Sequence, residues 1–385
     1  MTNAAPFPHS PTELIIDLDA LADNWRVLRD RAAEGGAFAT AVVKADGYGL
    51  GIAPVSGALH RAGCRSFFTA HLDEAIRLRA ILPGADVEIS AMNGLMAGEE
   101  SVYAEHRIAP TLNDLGQIER WRAFCRAEES APPANLHVDT GMCRLGLPGQ
   151  EVERLTAEPE RLEGLAIDHL MSHLVMADAT DAPINRRQQE DFAAICARLA
   201  PPRRGRMLAN SSGCFLGADW LFDCVRPGIS IYGGKPNDLG PNPMKPVVRL
   251  AAKILQIRDV DAPQTVGYGA AHRVEGPTRV ATVAVGYADG YLRTAGAGPI
   301  PKGAVAHIGQ QEVPVIGRIS MDLTTLDVSA APEARVGDVI DMLGPLNTVD
   351  DLADAAGTIG YEILTSLGPR YRRTYLGAGA EGLSA

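Results

Sequence analysis

The sequence has few aromatic residues, no closely spaced cysteines and no long apolar run, and each absence excludes a class of protein. Aromatic side chains make up 5% of the chain, too few to predict a stacking platform for single-stranded nucleic acid. The six cysteines are scattered without a C-x-x-C pair, which favours reduced thiols over a disulfide framework. No apolar run is long enough to span a bilayer, and the first twenty residues lack the features of a secretory signal. We therefore expect a cytoplasmic protein that does not insert into membranes.

The charge and the size of the chain narrow the choice further. A net charge of −11 without a basic stripe argues against a nucleic-acid partner. The 46% content of apolar residues is typical of a globular protein. At 385 residues the chain suits two domains, or one large barrel with an addition.

Short apolar runs alternate with stretches of helical spacing through the first 230 residues. This alternation is typical of β-α units around a parallel sheet. Eight runs favour a (β/α)8 TIM-type barrel over residues 13–240, although two of the runs are short enough to be miscounted. No G-x-G-x-x-G follows the first run, which counts against a dinucleotide-binding open sheet. The eight predicted strands are Phe38–Lys44, Ser66–Ala70, Val87–Ala91, Ala109–Leu112, Leu136–Asp139, Leu165–Ser172, Met207–Asn210 and Cys224–Arg226.

After a loop rich in Gly, Pro and Asn at 233–243 the pattern changes to strands separated by turns. We predict a mostly antiparallel β domain over residues 241–385. Residues 1–12 are predicted to form a loose tail, and Glu13–Asp17 a strand, so residues near 1–17 could join the β domain. Asp19 is predicted to cap the first helix, which would end near Gly35. Thr348, followed by Asp351, is predicted to begin a late helix.

Polar residues follow several predicted barrel strands, where catalytic groups lie in such barrels. Lys44 ends the first strand among apolar neighbours, which would lower its pKa and make it a nucleophile able to form a Schiff base. The loops after the last two strands are suited to phosphate. A lysine of this kind near a phosphate site is what pyridoxal 5′-phosphate requires. The residues at the other strand ends are Asp139 and Arg144, His173, Asn210-Ser211-Ser212-Gly213, and Arg226-Pro227-Gly228.

Each of these residues also has a plain structural interpretation. Lys44 could simply point into solvent at the end of a strand. His173 could be a buried structural histidine, and Ser211-Ser212-Gly213 could be a turn. Asp139 could cap a helix, and Arg226 could belong to a surface ion pair. We expect no metal site.

With these residues in place, the chain resembles the alanine racemase family of fold-type III pyridoxal-phosphate enzymes. The resemblance runs from about Glu13 to Tyr375, nearly the whole chain, and no single motif carries it. The motifs are Ala41-Val42-Val43-Lys44-Ala45-Asp46-Gly47-Tyr48-Gly49, Asp139-Thr140-Gly141-Met142-Cys143-Arg144-Leu145-Gly146, His173, Asn210-Ser211-Ser212-Gly213, Val225-Arg226-Pro227-Gly228-Ile229-Ser230-Ile231-Tyr232-Gly233, Val266-Gly267-Tyr268-Gly269, Val285-Gly286-Tyr287-Ala288-Asp289-Gly290 and Gly317-Arg318-Ile319-Ser320-Met321-Asp322.

The resemblance implies a homodimer with shared active sites and a small amino acid as substrate. Lys44 would hold the cofactor and act as the base for the D enantiomer, and Tyr268 of the partner subunit would be the base for the L enantiomer. Arg144 would contact the cofactor's phenolic oxygen and the substrate carboxylate, aided by the backbone of Met321 from the partner subunit. The reaction would supply D-alanine as a peptidoglycan precursor, although the sequence does not separate this role from D-alanine catabolism.

The resemblance assigns the remaining site residues to the cofactor or to support. Arg226 would face the pyridine nitrogen and leave it unprotonated, since a guanidinium cannot accept a proton. His173 would bridge Arg226 and Tyr268 and lower the pKa of the tyrosine. Tyr48, Ser211, Gly228 and Ile229 would hold the phosphate, Asn210 would also bind the cofactor, and Tyr287 and Asp322 would be supporting residues.

Four positions depart from the family pattern. His137 stands where many relatives place a lysine, sometimes carbamylated, so we predict no carbamate there. Cys143 replaces a usual glycine, and Ser320 a frequent cysteine. Pro369 stands where some members place a tyrosine that contacts the phosphate, which would leave cofactor affinity more dependent on Tyr48.

Three alternatives stay open beside alanine racemisation. A non-catalytic pyridoxal-phosphate carrier would be a single barrel without a β domain. A decarboxylase of this fold would carry a cysteine in its β domain, but no cysteine follows Cys224. A racemase for serine or for a broader set of amino acids is barely distinguishable, because one hydroxyl changes selectivity by only about 1–3 kcal/mol.

Overall fold

Short parallel strands form a closed barrel in the first part of the chain. The fold comes from a computed structural model that describes residues 9–296 and 303–380, so most of the predicted tail, residues 1–8, lies outside the described residues. The strands are β2 (Phe38–Ala39), β3 (Ala41–Val42), β4 (Ser66–Thr69), β5 (Glu88–Ala91), β6 (Ala109–Leu112), β7 (Pro133–His137), β8 (Ala166–Met171), β9 (Gly205–Met207) and β10 (Cys224–Val225). The (β/α)8 prediction is confirmed.

The predicted first strand is broken at Thr40, and this break closes the barrel. Strand β2 pairs in parallel with β10, and β3 pairs in parallel with β4. Between them, Thr40 N–H donates to the carbonyl of Val225 at 3.0 Å, and Val42 N–H donates to that of Pro227 at 3.0 Å. One run of sequence therefore holds both edges of the parallel sheet together, as a barrel requires.

Helices alternate with the strands and surround the barrel. They are α1 (Leu18–Glu34), α2 (Lys44–Tyr48), α3 (Ile52–Arg61), α4 (Leu72–Ile81), α5 (Glu100–Glu105), α6 (Leu115–Ala127), α7 (Gly149–Ala157) and α8 (Pro183–Arg198). Of these, α2 is a short turn with left-handed dihedral angles rather than a regular helix. Within α1, Leu21, Trp25 and Leu28 are buried on one face, which is the spacing that predicted the helix.

The cap of helix α1 differs from the prediction. Asp17, rather than Asp19, is the N-cap, and its carboxylate accepts the N–H of Ala20 at 2.8 Å. Asp19 lies in the first turn, and its carboxylate accepts the N–H of Ala378 at 3.0 Å. The cap is displaced because the helix begins at Leu18, directly after the strand, so the last strand residue, Asp17, is also the cap. The predicted helix end near Gly35 is confirmed, since Gly35 is the C-cap.

The later part of the chain forms most of a second sheet, which has eight strands. Its central order is β16-β15-β18-β11-β1-β19, and β14 joins β11 to β17. The strands are β1 (Thr12–Asp17), β11 (Val248–Val260), β14 (Thr278–Val283), β15 (Val305–Ile308), β16 (Gln311–Pro314), β17 (Thr324–Asp327), β18 (Val339–Leu343) and β19 (Arg372–Leu376). A small hairpin of β12 (Thr265–Val266) and β13 (His272–Arg273), with helices α9 (Val349–Ala356) and α10 (Gly360–Ser366), completes the strands and α-helices of the described residues, which also include short 3-10 helices.

The strands of the second sheet pair antiparallel, except where the strand that comes first along the chain pairs with the strand that comes last. Strand β1 is antiparallel to β11 but parallel to β19. This confirms the predicted β domain and places the first strand of the chain within its sheet. The capping box of α9 is also as predicted, with Thr348 and Asp351 bonded to each other's backbone N–H groups.

One continuous cluster of buried side chains runs through both the barrel and the second sheet. It extends from Leu14 and Leu21 through Phe67 and Leu136 to Leu250 and Tyr371. The two parts of the molecule therefore share a core. Among residues 9–296 and 303–380, no helix combines the length and the apolar composition needed to cross a bilayer.

Candidate active site

Lys44 lies two residues beyond strand β3, at the start of a left-handed turn. Ala45, Asp46 and Tyr48 have φ values of +54°, +54° and +55°, and Gly47 between them has +65°. Non-glycine residues in this conformation cost about 1–2 kcal/mol each. A run of this kind must be held by its surroundings, and such strain tends to occur at functional sites.

Contacts with the far end of the chain hold this turn. Arg373 donates to the carbonyl of Gly49 at 2.7 Å, and the Tyr375 hydroxyl donates to that of Leu50 at 3.0 Å. A side chain at Gly49 would collide with the carbonyl of Leu364 in α10. Within the turn, Asp46 accepts the N–H of Ile52 at 3.0 Å. The turn after Lys44 is thus clamped between the barrel and the second domain.

The amine of Lys44 is shifted toward its neutral form. Burial is the largest cause of its lowered pKa, and the positive charges of Arg144 and Arg226 add to it, while the negative charge of Glu74 opposes them. A lysine with a lowered pKa is the form that acts as a nucleophile or base near neutral pH.

Tyr48 and two loops form a corner suited to an anion. The hydroxyl oxygen of Ser211 accepts N–H groups from Gly228 at 2.8 Å and Ser230 at 3.3 Å, which leaves its own proton free to donate. A Cβ at Gly228 would collide with the phenol of Tyr48, so only glycine fits there. Ile229 begins a short 3-10 helix, whose first N–H groups have no partner within the helix. Ser211 is only 1% exposed.

A third aromatic residue at this corner was missed by the sequence analysis. The ring of Tyr361, from α10, lies 6.0 Å from that of Tyr48, and Tyr48 stacks on Tyr232 at 4.3 Å. Tyr361 therefore brings a second phenol to this corner, and the expectation that Pro369 leaves cofactor affinity more dependent on Tyr48 stays a prediction. The two tyrosines lie far apart in sequence, in different domains, and no local pattern links them.

A cavity of about 360 Å³ opens beside this corner. This size is within the range of small-molecule sites. Among its lining residues are Met142, His173, Asn210, Ser212, Ile229 and Tyr361. Four predicted strand-end loops and helix α10 thus meet at one opening. Asn210 uses its side-chain oxygen to accept the N–H of Gly213 at 2.9 Å, so it also shapes the turn that it begins.

The buried Arg226 and the half-buried His173 form a pair at the carboxyl end of the barrel. The Arg226 guanidinium donates to the carbonyl of Ser172 at 2.8 Å and lies 3.2 Å from Nδ1 of His173. Burial lowers the pKa of Arg226 to about 10, so it stays charged at neutral pH. Burial first and Arg226 second hold the pKa of His173 well below its usual value. Since Nδ1 faces a donor, the neutral imidazole carries its proton on Nε2.

Asp139 shapes the loop that carries Arg144. Its carboxylate accepts the N–H groups of Gly141 and Met142 at 2.9 Å each, and that of Cys143. Cys143 adopts φ +54°, the conformation that explains why glycine is usual there. The plain interpretation of Asp139 as a helix cap is wrong, because no helix begins at residues 140–146; its carboxylate instead holds the backbone at the start of the loop that contains Arg144.

His137 lies beside this loop and is held neutral. Its Nδ1 is 2.7 Å from the side-chain oxygen of Asn113. Burial is the main cause that lowers its pKa to about 4, with Arg226 contributing. The predicted absence of a carbamate at this position stays a prediction.

The predicted residues of the second domain form a separate, exposed group. Tyr268 is 67% and Met321 53% exposed, and both lie on turns beside the second sheet. Tyr287 N–H donates to the carbonyl of Ser320 at 3.1 Å, and Arg370 bonds Asp322 at 2.9 Å. Of the predicted site residues, His173, Asn210 and Ile229 line the 360 Å³ cavity, and Lys44, Arg144, Arg226, Tyr268 and Met321 are not among its lining residues. The charges of Arg144 and Arg226 lower the pKa of both Lys44 and His173, so one chain brings these four residues together, and within the described residues Tyr268 is not among the groups that act on them.

Comparison with known proteins decides the family. The model for the N-terminal domain of alanine racemase matches residues 16–236, and that for the C-terminal domain matches residues 247–375. The chain belongs to the alanine racemase family. It is an enzyme of the isomerase class, an amino-acid racemase.

Curated relatives and solved structures agree across nearly the whole chain. The alanine racemase of Acidiphilium cryptum is 48% identical over 94% of this chain and 97% of its own. The catabolic alanine racemase of Agrobacterium fabrum is 46% identical over 97% of this chain and 94% of its own. The Bartonella henselae alanine racemase, solved with covalently bound pyridoxal phosphate, superimposes with a TM-score of 0.89 at 37% identity, covering 95% of this chain and 99% of its own.

Proposed function

We propose that this enzyme interconverts L-alanine and D-alanine with pyridoxal 5′-phosphate, using Lys44 and Tyr268 of the partner subunit as two bases. The observation that carries the proposal is the Lys44 amine, whose pKa is lowered by burial and by two arginines at the carboxyl rim of the barrel. Next to it lies a corner of Ser211, Gly228, Ile229 and Tyr48 with donors for an anion.

The residues present fit the cofactor. A glycine cradle at Gly228, the free proton of the Ser211 hydroxyl and the phenols of Tyr48 and Tyr361 suit a phosphate group. Arg226 stays charged and would donate to the pyridine nitrogen, since a guanidinium has no lone pair to give. When bound, the cofactor supplies an electron sink that makes the α-proton of an amino acid acidic.

The protein then has to remove and return a proton on opposite faces of one carbon. The neutral form of Lys44, favoured by burial, can accept a proton on its side. His173, with its proton on Nε2, can donate a hydrogen bond and so stabilise a phenolate. The proposed receiver of that bond is Tyr268 of the partner subunit. Arg144, beside Lys44, would hold the substrate carboxylate, with the partner's Met321 backbone.

The decisive experiment is incubation of the purified enzyme and cofactor with a panel of L-amino acids, followed by chiral chromatography. We expect D-alanine as the main product. D-serine or several D-amino acids as main products would contradict the proposed specificity. The absence of a D-amino acid product from every substrate would indicate a non-catalytic cofactor carrier.

The Lys44→Ala variant separates the lysine's role from general damage. We expect racemisation to fall by more than about 10³-fold, because both the cofactor attachment and one base are lost. Borohydride reduction followed by mass spectrometry should show cofactor mass on the wild type and none on the variant. Lys253→Ala, at an exposed position of β11, is the matched control and should keep full activity. Activity retained in Lys44→Ala would refute the assignment.

A further inference from the structure

A carboxylate from the neighbouring helix holds the peptide that follows Lys44. Glu74, in the first turn of α4, accepts the N–H of Ala45 on Oε1 at 2.6 Å. Its other oxygen, Oε2, accepts the N–H of Ala70 at 2.9 Å and that of His71 at 3.2 Å. One carboxylate therefore ties together two successive loops at the carboxyl end of the barrel.

The Ala45 amide is the point where the chain enters its left-handed turn. The peptide unit between Lys44 and Ala45 is planar. Fixing the direction of the Ala45 N–H therefore fixes the plane of this unit, and with it the direction of the bond from the Lys44 Cα to its carbonyl carbon. A bond from a backbone N–H to an ionised carboxylate is shorter and stronger than one to a neutral acceptor. The left-handed dihedrals begin at this residue, with Ala45 at φ +54°.

Glu74 is also the negative charge that acts on the Lys44 amine. Among the charged groups that influence its pKa, Arg144 and Arg226 favour the neutral amine and Glu74 favours the charged one. Glu74 thus acts on Lys44 in two ways, through the backbone bond at Ala45 and through its charge.

We propose that Glu74 is a positioning residue for Lys44, which orients the reacting amine by clamping the Ala45 amide to the loop after the next strand. The proposal rests on the proposed function only in taking Lys44 as the reacting amine. Glu74 touches neither substrate nor cofactor in this role, and it acts through the turn.

The Glu74→Gln variant is the sharpest test, because both carboxylate oxygens of Glu74 accept hydrogen bonds from the backbone. A glutamine has one carbonyl oxygen, so it can accept from Ala45 or from the Ala70–His71 pair, but not from both. Its NH2 group would then face a backbone donor. Glu74→Ala removes all three hydrogen bonds and the charge, and Glu74→Gln keeps the size of the side chain if the alanine variant folds poorly.

Two matched controls separate this role from general effects. Asp73→Asn removes the same charge from the adjacent exposed residue of α4, which makes none of these contacts. Asp114→Ala removes the N-cap of α6, where Asp114 accepts the N–H of Gln117 at 2.7 Å, and so weakens another barrel helix without contacting the Lys44 turn.

The first readout is the ionisation of Lys44 in the cofactor-free protein. The chain has only five lysines, so competitive acylation at a series of pH values, followed by peptide mass spectrometry, resolves each one. In Glu74→Gln we expect the titration midpoint of Lys44 to move to lower pH, while the profile of the exposed Lys253 is unchanged. Neither measurement depends on racemase activity.

The second readout is cofactor binding followed by kinetics. We expect the Kd for pyridoxal phosphate to rise about tenfold or more in Glu74→Gln. The value of kcat should fall more than KM changes, since a misdirected amine affects the chemical step. Asp73→Asn and Asp114→Ala should keep cofactor affinity within about twofold of the wild type.

The proposal is overturned if both Glu74 variants keep the wild-type labelling profile of Lys44 and the wild-type cofactor affinity. It is also overturned if Asp114→Ala produces the same losses. The loss of Glu74 would then act only by weakening the start of a barrel helix, and not through the Lys44 turn. Failure of the proposed function would look different: Lys44→Ala would stay active, whatever the labelling of Lys44 showed.

Discussion

Lys44, Arg226 and Ser211 lie in the barrel among buried side chains, whereas Tyr268 and Met321 extend from turns of the second domain into solvent. The barrel residues have their hydrogen-bond partners within the same chain, as the Arg226 contacts with Ser172 and His173 show. The exposed tyrosine and methionine belong to the same predicted site yet do not reach it.

The difference bears on the proposal that two chains share the site. Large apolar side chains exposed together are typical of interaction surfaces. Because Tyr268, Tyr287, Met321 and Leu323 are all more than a third exposed, we infer that this face packs on another molecule. A symmetric dimer would place it over the barrel opening of the partner and complete both sites.

The largest expected effect comes from mixing two inactive variants. Lys44→Ala and Tyr268→Phe homodimers should each lack racemase activity. A heterodimer purified through two different tags should recover about half of the wild-type activity, because one shared site would be intact. Chiral chromatography of the reaction measures the recovery.

A reciprocal heterodimer checks the same idea from the other side. A chain carrying both substitutions, paired with a wild-type chain, should be inactive if the sites are shared, since each site then lacks one base. If each chain instead built its own site, this heterodimer would keep half of the activity, and the mixed one would have none.

The next largest effect should be confined to one face of the substrate. Tyr268→Phe removes only a hydroxyl, and we expect α-proton exchange from L-alanine in deuterated water to fall by about 10²–10⁴-fold. Exchange from D-alanine should remain measurable by NMR. Tyr291→Phe is the matched control, because the Tyr291 hydroxyl is buried without a partner among the described residues. Equal loss on both faces would refute the two-base scheme.

A smaller effect should follow from filling the glycine cradle in the barrel. In Gly228→Ala the new methyl would collide with the Tyr48 phenol. Overpacking of this kind costs about 1–3 kcal/mol, which would weaken cofactor binding by about tenfold or more. Fluorescence titration of the cofactor-free protein measures the change. Gly149→Ala, where a Cβ meets open space, is the control and should leave the Kd unchanged. If Gly228→Ala also left the Kd unchanged, the close fit at Gly228 would not contribute to cofactor binding.

The smallest effect concerns stability rather than the site. Burial lowers the pKa of both His137 and His169 to about 4. Between that value and about 6.5, the unfolded chain binds protons that the folded chain does not, so stability should fall as the pH falls through this window.

For His169, which is 2% exposed, the full contribution is at most about 3 kcal/mol. His169→Gln should therefore make the decline in Tm from pH 7 to pH 4.5 shallower. The exposed His9→Gln should leave it unchanged. A slope unaltered in His169→Gln would show that folding does not lower the pKa of this histidine.

The sequence predicted the features that repeat along the chain and missed those that depend on distant contacts. Alternating apolar runs predicted the barrel, and the capping pattern at Thr348 predicted α9. The left-handed turn could not be predicted, because Ala45 and Tyr48 do not favour positive φ and remote residues hold the turn in place. Tyr361 was missed for the same reason, since α10 has no local relation to the barrel loops.

The contacts of Arg373 and Tyr375 with the Lys44 turn have a consequence for how the protein is made. The turn at residues 44–48 is synthesised early, but two of the groups that hold it belong to β19. Strand β1 likewise lacks its parallel neighbour until β19 has been synthesised. On the ribosome, the barrel can assemble its strands long before the reactive lysine acquires its final setting. We therefore expect a nascent chain to become able to retain its cofactor only after β19 has left the exit tunnel.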